Sequence, residues 1–196
     1  MAARNWRRDI LTWPNLITTI RLLCIPVFVW LLFGRDNRAA AAWLLAALGS
    51  TDWVDGWMAR RFGQVSELGK LLDPTVDRLL FLVAVPSLII DGSIPLGIAV
   101  LAVVREAVVA VAALVLGAMG ARRIDVTREG KTGTFLLMFA FPMFLGGEST
   151  LSYAPLLAVL AWVFAVPGLV FSWLAAAQYV PRARRALAEG RAARTG

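Results

Sequence analysis

Apolar residues run through this chain in long blocks, at 39–48, 79–90, 95–119 and 156–177, with short polar gaps between them. A helix needs ~20 mainly apolar residues to cross the hydrocarbon core of a bilayer, and several of these blocks are long enough. The pattern predicts six transmembrane helices, near 15–34, 39–61, 68–91, 95–119, 131–146 and 153–180. Extracytoplasmic turns are expected at 34–38, 91–94 and 146–152, and cytoplasmic connections at 61–67 and 120–130. The expected fold class is an all-α integral membrane protein, a bundle of six transmembrane helices. An interfacial segment at 1–14 would precede the membrane domain at 15–180, and a basic tail at 181–196 would follow as a frayed or interfacial helix.

Composition supports that reading. The chain is 59% hydrophobic and 17% charged over 196 residues, against ~45–50% and ~25% for a soluble domain. Its formal charge of +7 would fit nucleic acid, but the positions argue otherwise. Basic residues occur at Arg4, Arg7 and Arg8, at Arg60, Arg61, Lys70 and Arg78, at Arg122, Arg123, Arg128 and Lys131, and from Arg182 to Arg194. Only Arg35 and Arg38 fall in the intervening gaps. That is the positive-inside pattern with both termini cytoplasmic, so the excess charge sets topology and meets anionic headgroups, and no nucleic-acid partner is expected. Arg7 and Arg8 before an apolar run resemble a signal peptide, but no small-x-small site closes it, and a retained first span is expected. Trp43, Trp53, Trp57, Trp162 and Trp173 suit helix ends and lipid-facing surfaces. The single Cys24 excludes an internal disulfide and reads as a packed thiol. There is no histidine, so a general base must be a carboxylate or a lysine.

The chemistry concentrates in the pattern D-x2-D-G-x2-A-R-x8-G-x3-D-x3-D, running from Asp52 to Asp77. A carboxylate inside a span costs on the order of 2.5–3.5 kcal/mol, and this stretch holds Asp52, Asp55, Asp73 and Asp77. At about 100° per residue, Asp52, Asp55, Gly56, Ala59 and Arg60 share an arc of about 140°. Gly69, Asp73 and Asp77 drift only ~40° per step and also share a face. On two antiparallel neighbours these faces can meet. Four close carboxylates without cations would be driven to protonate. Hard divalent cations reverse the repulsion, and an oxygen-only donor set points to Mg²⁺ or Mn²⁺, or Ca²⁺, with two ions plausible at this ligand count. Gly56 and Gly69 leave room for a ligand to approach the backbone, and Arg60 can fork onto a phosphate. The plainer reading pairs the aspartates with Arg60, Arg61, Lys70 and Arg78, but pairing would not require two small residues on the same faces.

This pattern resembles the signature of the CDP-alcohol phosphotransferase family, with every motif position present, and the opening Pro14-Asn15 to Arg21 is also typical of bacterial members. The resemblance implies that Asp52, Asp55 and Asp73 ligate metal holding the donor pyrophosphate. It implies that Asp77 assists a second metal and acts as general base. Asp52, Gly56, Ala59, Arg60 and Gly69 would bind the CDP moiety. The implied reaction is attack of an alcohol on the β-phosphate of CDP-diacylglycerol, expelling CMP, in a homodimer at the inner membrane with its site toward the cytoplasm. The opener, Arg105-Glu106 and Gly130-Lys131-Thr132 are similar to the glycerol-type branch, which holds phosphatidylglycerophosphate synthases and CDP-dependent cardiolipin synthases. Asp77-Arg78 departs from the Asp-Lys usual in the first group, and segment 126–138 is similar to cardiolipin-synthase-like members.

Arg105 and Lys131 are the tentative acceptor-binding residues. Arg105 and Glu106 either line a polar cavity or pair with neighbouring helices. Lys131 is expected at the start of the fifth helix, where charge and helix N-terminus would act together on an acceptor phosphate. Gly130-Lys131-Thr132 is not a P-loop, because Asp125 stands where that motif needs glycine. Two rivals remain: the same chemistry on inositol phosphate or serine, and a cation transporter, which would instead carry polar residues along a path through the bilayer.

Overall fold

The computed structural model describes residues 13–62, 67–119 and 127–195, with side chains for 16–51, 75–119, 127–179 and 181. The described residues form six helices and no strand. They are α1 (Trp13–Val29, continued by a π-helical turn at Trp30–Gly34), α2 (Arg38–Phe62), α3 (Glu67–Asp91), α4 (Leu96–Ala118), α5 (Arg128–Gly147) and α6 (Ala154–Thr195). By length and composition, three of the described stretches can cross a membrane: Leu16–Gly34, Leu96–Ala118 and Ala154–Tyr179. The outer surface is apolar. Leu96, Val100, Leu101, Val104, Val108, Val111 and Leu114 of α4 are all exposed. A soluble monomer rarely shows an apolar face of that extent, so hydrocarbon is its natural solvent.

The chain divides into two compact units. The first comprises Met1–Ser93 with Pro142–Ala158, the second Ile94–Phe141 with Val159–Gly196. In the first, α1 packs against both α2 and α3. Its inward face carries Thr18, Arg21, Ile25, Phe28 and Leu32, all buried, at the three- and four-residue spacing of one helical stripe.

The polar gaps end the helices through local chemistry. Asn37 caps α2, its Oδ1 accepting the Ala40 N–H at 2.9 Å. At the end of α3, Gly92 sits at φ 78°. There the Gly92 N–H meets the Ile89 carbonyl at 3.2 Å and the Ser93 N–H meets that of Leu88 at 3.1 Å. This is the Schellman stop that a left-handed glycine permits. The Arg38 Nε donates to both oxygens of Asp91, at 3.1 and 3.0 Å, and the Ser93 hydroxyl donates to the same carboxylate. Asp91 raises the Arg38 pKa through that hydrogen bond and its charge, with Asp36 and Glu148 adding to it. A polar hollow of about 260 Å³ joins 35–39 to 148–150. The three turns expected on one side of the membrane therefore lie together.

In the second unit α5 and α6 approach through small residues. A Cβ built on Gly133 would collide with the Ser172 Oγ and lie 2.6 Å from its backbone nitrogen and 2.9 Å from the Gly168 carbonyl oxygen. Close backbone approach of this kind is how helices gain contact where lipid offers no hydrophobic drive. Gly133→Ala is expected to cost ~1–3 kcal/mol by overpacking and to lower the unfolding midpoint in detergent. Gly97→Ala, with nothing within 4 Å of its Cβ, is the control and leaves the midpoint unchanged or higher.

Two boundaries differ from expectation. Helix α5 begins at Arg128 rather than 131, because Thr127 caps it and its Oγ1 accepts the Gly130 N–H at 2.9 Å. Helix α6 runs unbroken through Pro167 and Pro181 to Thr195, so the backbone of the basic tail continues the last span. Its Ala, Arg, Leu and Glu residues are strong helix formers.

Candidate functional site

Asp52, Asp55, Gly56, Ala59 and Arg60 lie on α2, and Gly69, Asp73 and Asp77 on α3. The side chains of 52–74 are outside the described residues, but the backbone fixes their depth. The Arg38–Asp91 pair ties the first residue of α2 to the last of α3, so the two helices run antiparallel with those ends level. Asp52 and Asp55 then stand about 21 and 26 Å along α2 from that end, at 1.5 Å per residue. Asp77 and Asp73 stand about 21 and 27 Å from it along α3 by the same rise. By this count the four motif positions stand at matching distances along the two helices from their shared end.

Helix α1 contributes a residue that the motif does not contain. The Arg21 Nη1 donates to the Asp77 Oδ1 at 2.5 Å, with the arginine side chain 1% exposed and the aspartate 41%. Arg21 is the only charged residue of α1. Sequence reasoning noted it as part of a typical opener and gave it no role in the site. The available signal was its cost: a cation alone in an apolar helix needs a partner, and the motif aspartates are the nearest carboxylates in sequence that are expected inside a span.

As metal ligands these four aspartates would offer only carboxylate oxygen, a set that fits a hard divalent cation rather than a softer metal, and Arg21 would offset part of their negative charge. Among the described residues no group of three such ligands occurs, as expected when only one of the four aspartate side chains, Asp77, is described.

The two acceptor candidates fall in the second unit. Arg105 is 12% exposed and donates to Glu106 at 3.0 Å and to the Ser172 carbonyl at 3.4 Å. Its pairing is therefore with its own helix and α6. Lys131 is exposed, but it is the fourth residue of α5 rather than the first. Its own N–H is taken by the Thr127 carbonyl at 3.1 Å, and that of Gly130 by the cap. The helix N-terminus therefore adds less than expected, and the ammonium charge remains.

Comparison with known proteins identifies the family. The profile of the CDP-alcohol phosphatidyltransferase family matches residues 11–173. The cardiolipin synthase (CMP-forming) of Streptomyces coelicolor is 37% identical over 181 residues, covering 90% of this chain and 84% of that protein. A Mycobacterium tuberculosis protein named "Probable phosphatidylglycerophosphate synthase" is 32% identical over 184 residues, covering 91% and 85%. The CDP-diacylglycerol–glycerol-3-phosphate 3-phosphatidyltransferase of Pseudomonas fluorescens is 42% identical over 78 residues, covering 39% and 40%. A transporter has no place in this company. The chain belongs to the CDP-alcohol phosphatidyltransferase family, enzymes of phospholipid biosynthesis.

Proposed function

We propose that the acceptor is phosphatidylglycerol and the product cardiolipin. The observation that carries this is the 37% identity to a CMP-forming cardiolipin synthase over nearly the whole of both chains, above the 32% to the phosphatidylglycerophosphate-synthase-named relative. Glycerol-3-phosphate is the second reading, favoured by that relative and by the P. fluorescens match. Inositol phosphate and serine find no support among these relatives.

In the proposed reaction the acceptor hydroxyl oxygen bonds to the β-phosphorus of CDP-diacylglycerol. The bond from that phosphorus to the bridging oxygen breaks, CMP leaves with the electron pair, and the hydroxyl proton passes to Asp77. Asp52, Asp55 and Asp73, with Asp77 assisting, would hold one or two Mg²⁺ or Mn²⁺ ions; members of the family are generally dependent on divalent metal. Bound metal would neutralise charge on the phosphates and the leaving group. Asp52, Gly56, Ala59, Arg60 and Gly69 would accommodate the CDP moiety, Arg60 by contact with phosphate.

We place the six helices as six transmembrane spans of the domain at 15–180, flanked by the interfacial segment at 1–14 and the basic segment at 181–196. The enzyme would sit in the cell membrane with the site toward the cytoplasm, as the Lys/Arg distribution supports, and act as a homodimer, as the family resemblance implies.

Lys131 and Arg105 are the cations assigned to the acceptor phosphate. Arg105 would have to release Glu106, so Lys131 carries the test. Purified protein is supplied with CDP-diacylglycerol and, separately, phosphatidylglycerol, glycerol-3-phosphate, inositol phosphate or serine. Cardiolipin is the expected product; turnover of glycerol-3-phosphate alone would establish the second reading. With the active acceptor identified, Lys131→Ala is expected to raise the acceptor KM about tenfold and the CDP-diacylglycerol KM little. Tenfold corresponds to ~1.4 kcal/mol, the lower end for a hydrogen bond to a charged group. An equal rise for both substrates, or none, would return Lys131 to the topology-setting charges.

A further inference from the structure

We infer that Arg21 is a positioning residue for the phosphatidyl transfer, acting through Asp77. The inference rests on the reading of Asp77 as the group that receives the acceptor proton.

Three observations carry it. Arg21 lies on the buried stripe of α1, one turn beyond buried Thr18 and one turn before Ile25, and α1 packs against both helices that bear the motif. The side chain is sealed, at 1% exposure, while the carboxylate it grips is 41% exposed. The pair is therefore asymmetric, with its cation on the protein side and its carboxylate at the open side. The contact is a charged hydrogen bond between residues 56 apart in sequence, so it holds α1 to α3 at the level of Asp77.

A carboxylate on a free χ1 and χ2 samples several rotamers, and a hydroxyl proton is transferred only within hydrogen-bond reach. A planar guanidinium held by burial offers its N–H groups in fixed directions, so it selects one orientation of the carboxylate. Placement errors of about 1 Å at a reacting group cost about 10²-fold in rate. That sets the size of the expected effect. Helix α1 thus supplies more than membrane anchorage: it holds the proton acceptor in register with the metal-binding helices.

The test uses the full chain in detergent, with Arg21→Gln, Arg21→Lys and Asp77→Asn prepared in parallel. Turnover is read as CMP release, and metal binding as Mn²⁺ titration followed by electron paramagnetic resonance without substrate. Arg21→Gln is expected to lower kcat about 10²-fold with both KM values within about threefold, while Mn²⁺ affinity holds or tightens, because a cation has been removed from beside the site. A merely structural arginine would give the opposite coupling, with Mn²⁺ binding and kcat lost together, and that result overturns the inference. Arg21→Lys keeps the charge but loses the fork; its expected loss is about tenfold, and it decides the matter if the glutamine variant fails to fold. Wild-type kcat in the lysine variant, or in a folded glutamine variant, also overturns it. If Asp77→Asn is inactive while Arg21→Gln is active, only the role of Arg21 falls. An active Asp77→Asn removes the proton-acceptor reading itself.

Discussion

Asp77→Asn is expected to lose nearly all turnover, by ~10²–10⁴-fold, the range for removing a general base. The substitution is close to isosteric, and its amide oxygen can still accept the Arg21 hydrogen bond now formed at 2.5 Å. What disappears is the negative charge and the capacity to take the acceptor proton. Asp52, Asp55 and Asp73 remain to hold metal and the donor pyrophosphate. CDP-diacylglycerol binding should therefore stay measurable, and equilibrium binding beside CMP release separates the two effects. Arg21, buried to 1% exposure, loses the charge of this partner, so the unfolding midpoint should fall as well. A variant that kept more than about a tenth of the wild-type rate would exclude Asp77 as the base, since no general base contributes so little.

Most of the helical architecture was legible because long apolar helices announce themselves by length and by the residues that stop them, and three of the described stretches are long and apolar enough to cross a membrane. Asn37 and Gly92 sit where capping chemistry demands a polar or left-handed residue, and the turns at 34–38 and 91–94 fall there. The candidate carboxylate site was read from spacing, because helical geometry converts residue number into direction and depth, and of its four aspartate side chains the structure describes Asp77. What sequence missed has physical causes. Arg21 vanishes in a hydropathy average over a 19-residue window, since one charge among Leu, Ile and Val barely lowers it. Its partner lies 56 residues away, and no local pattern can signal that. Thr127 lies in a polar stretch where any of several residues could cap, so the start of α5 was set one turn late. Arg105 was open between cavity and pairing because direction alone cannot say which helix lies opposite. The contacts to Glu106 and Ser172 favour pairing.

The charge balance explains why the remaining prediction should be large. On the proposed reading Asp52, Asp55, Asp73 and Asp77 would bring four negative charges to one site, where Arg21, paired with Asp77, would offset only part of them. Left uncompensated, carboxylates at this density repel one another. Hard cations with oxygen ligands resolve this. Chelation with EDTA is therefore expected to abolish CMP release, and Mg²⁺ or Mn²⁺ to restore it. Asp52→Ala and Asp55→Ala should reproduce the loss in the presence of metal and weaken Mn²⁺ binding by electron paramagnetic resonance. Asp91→Ala tests the opposite end of α3. It removes the partner of Arg38 about 21 Å from the level of Asp77 at 1.5 Å per residue, and should lower stability while leaving Mn²⁺ affinity unchanged. Full activity in metal-free buffer would dismantle the assignment of all four aspartates as metal ligands at once.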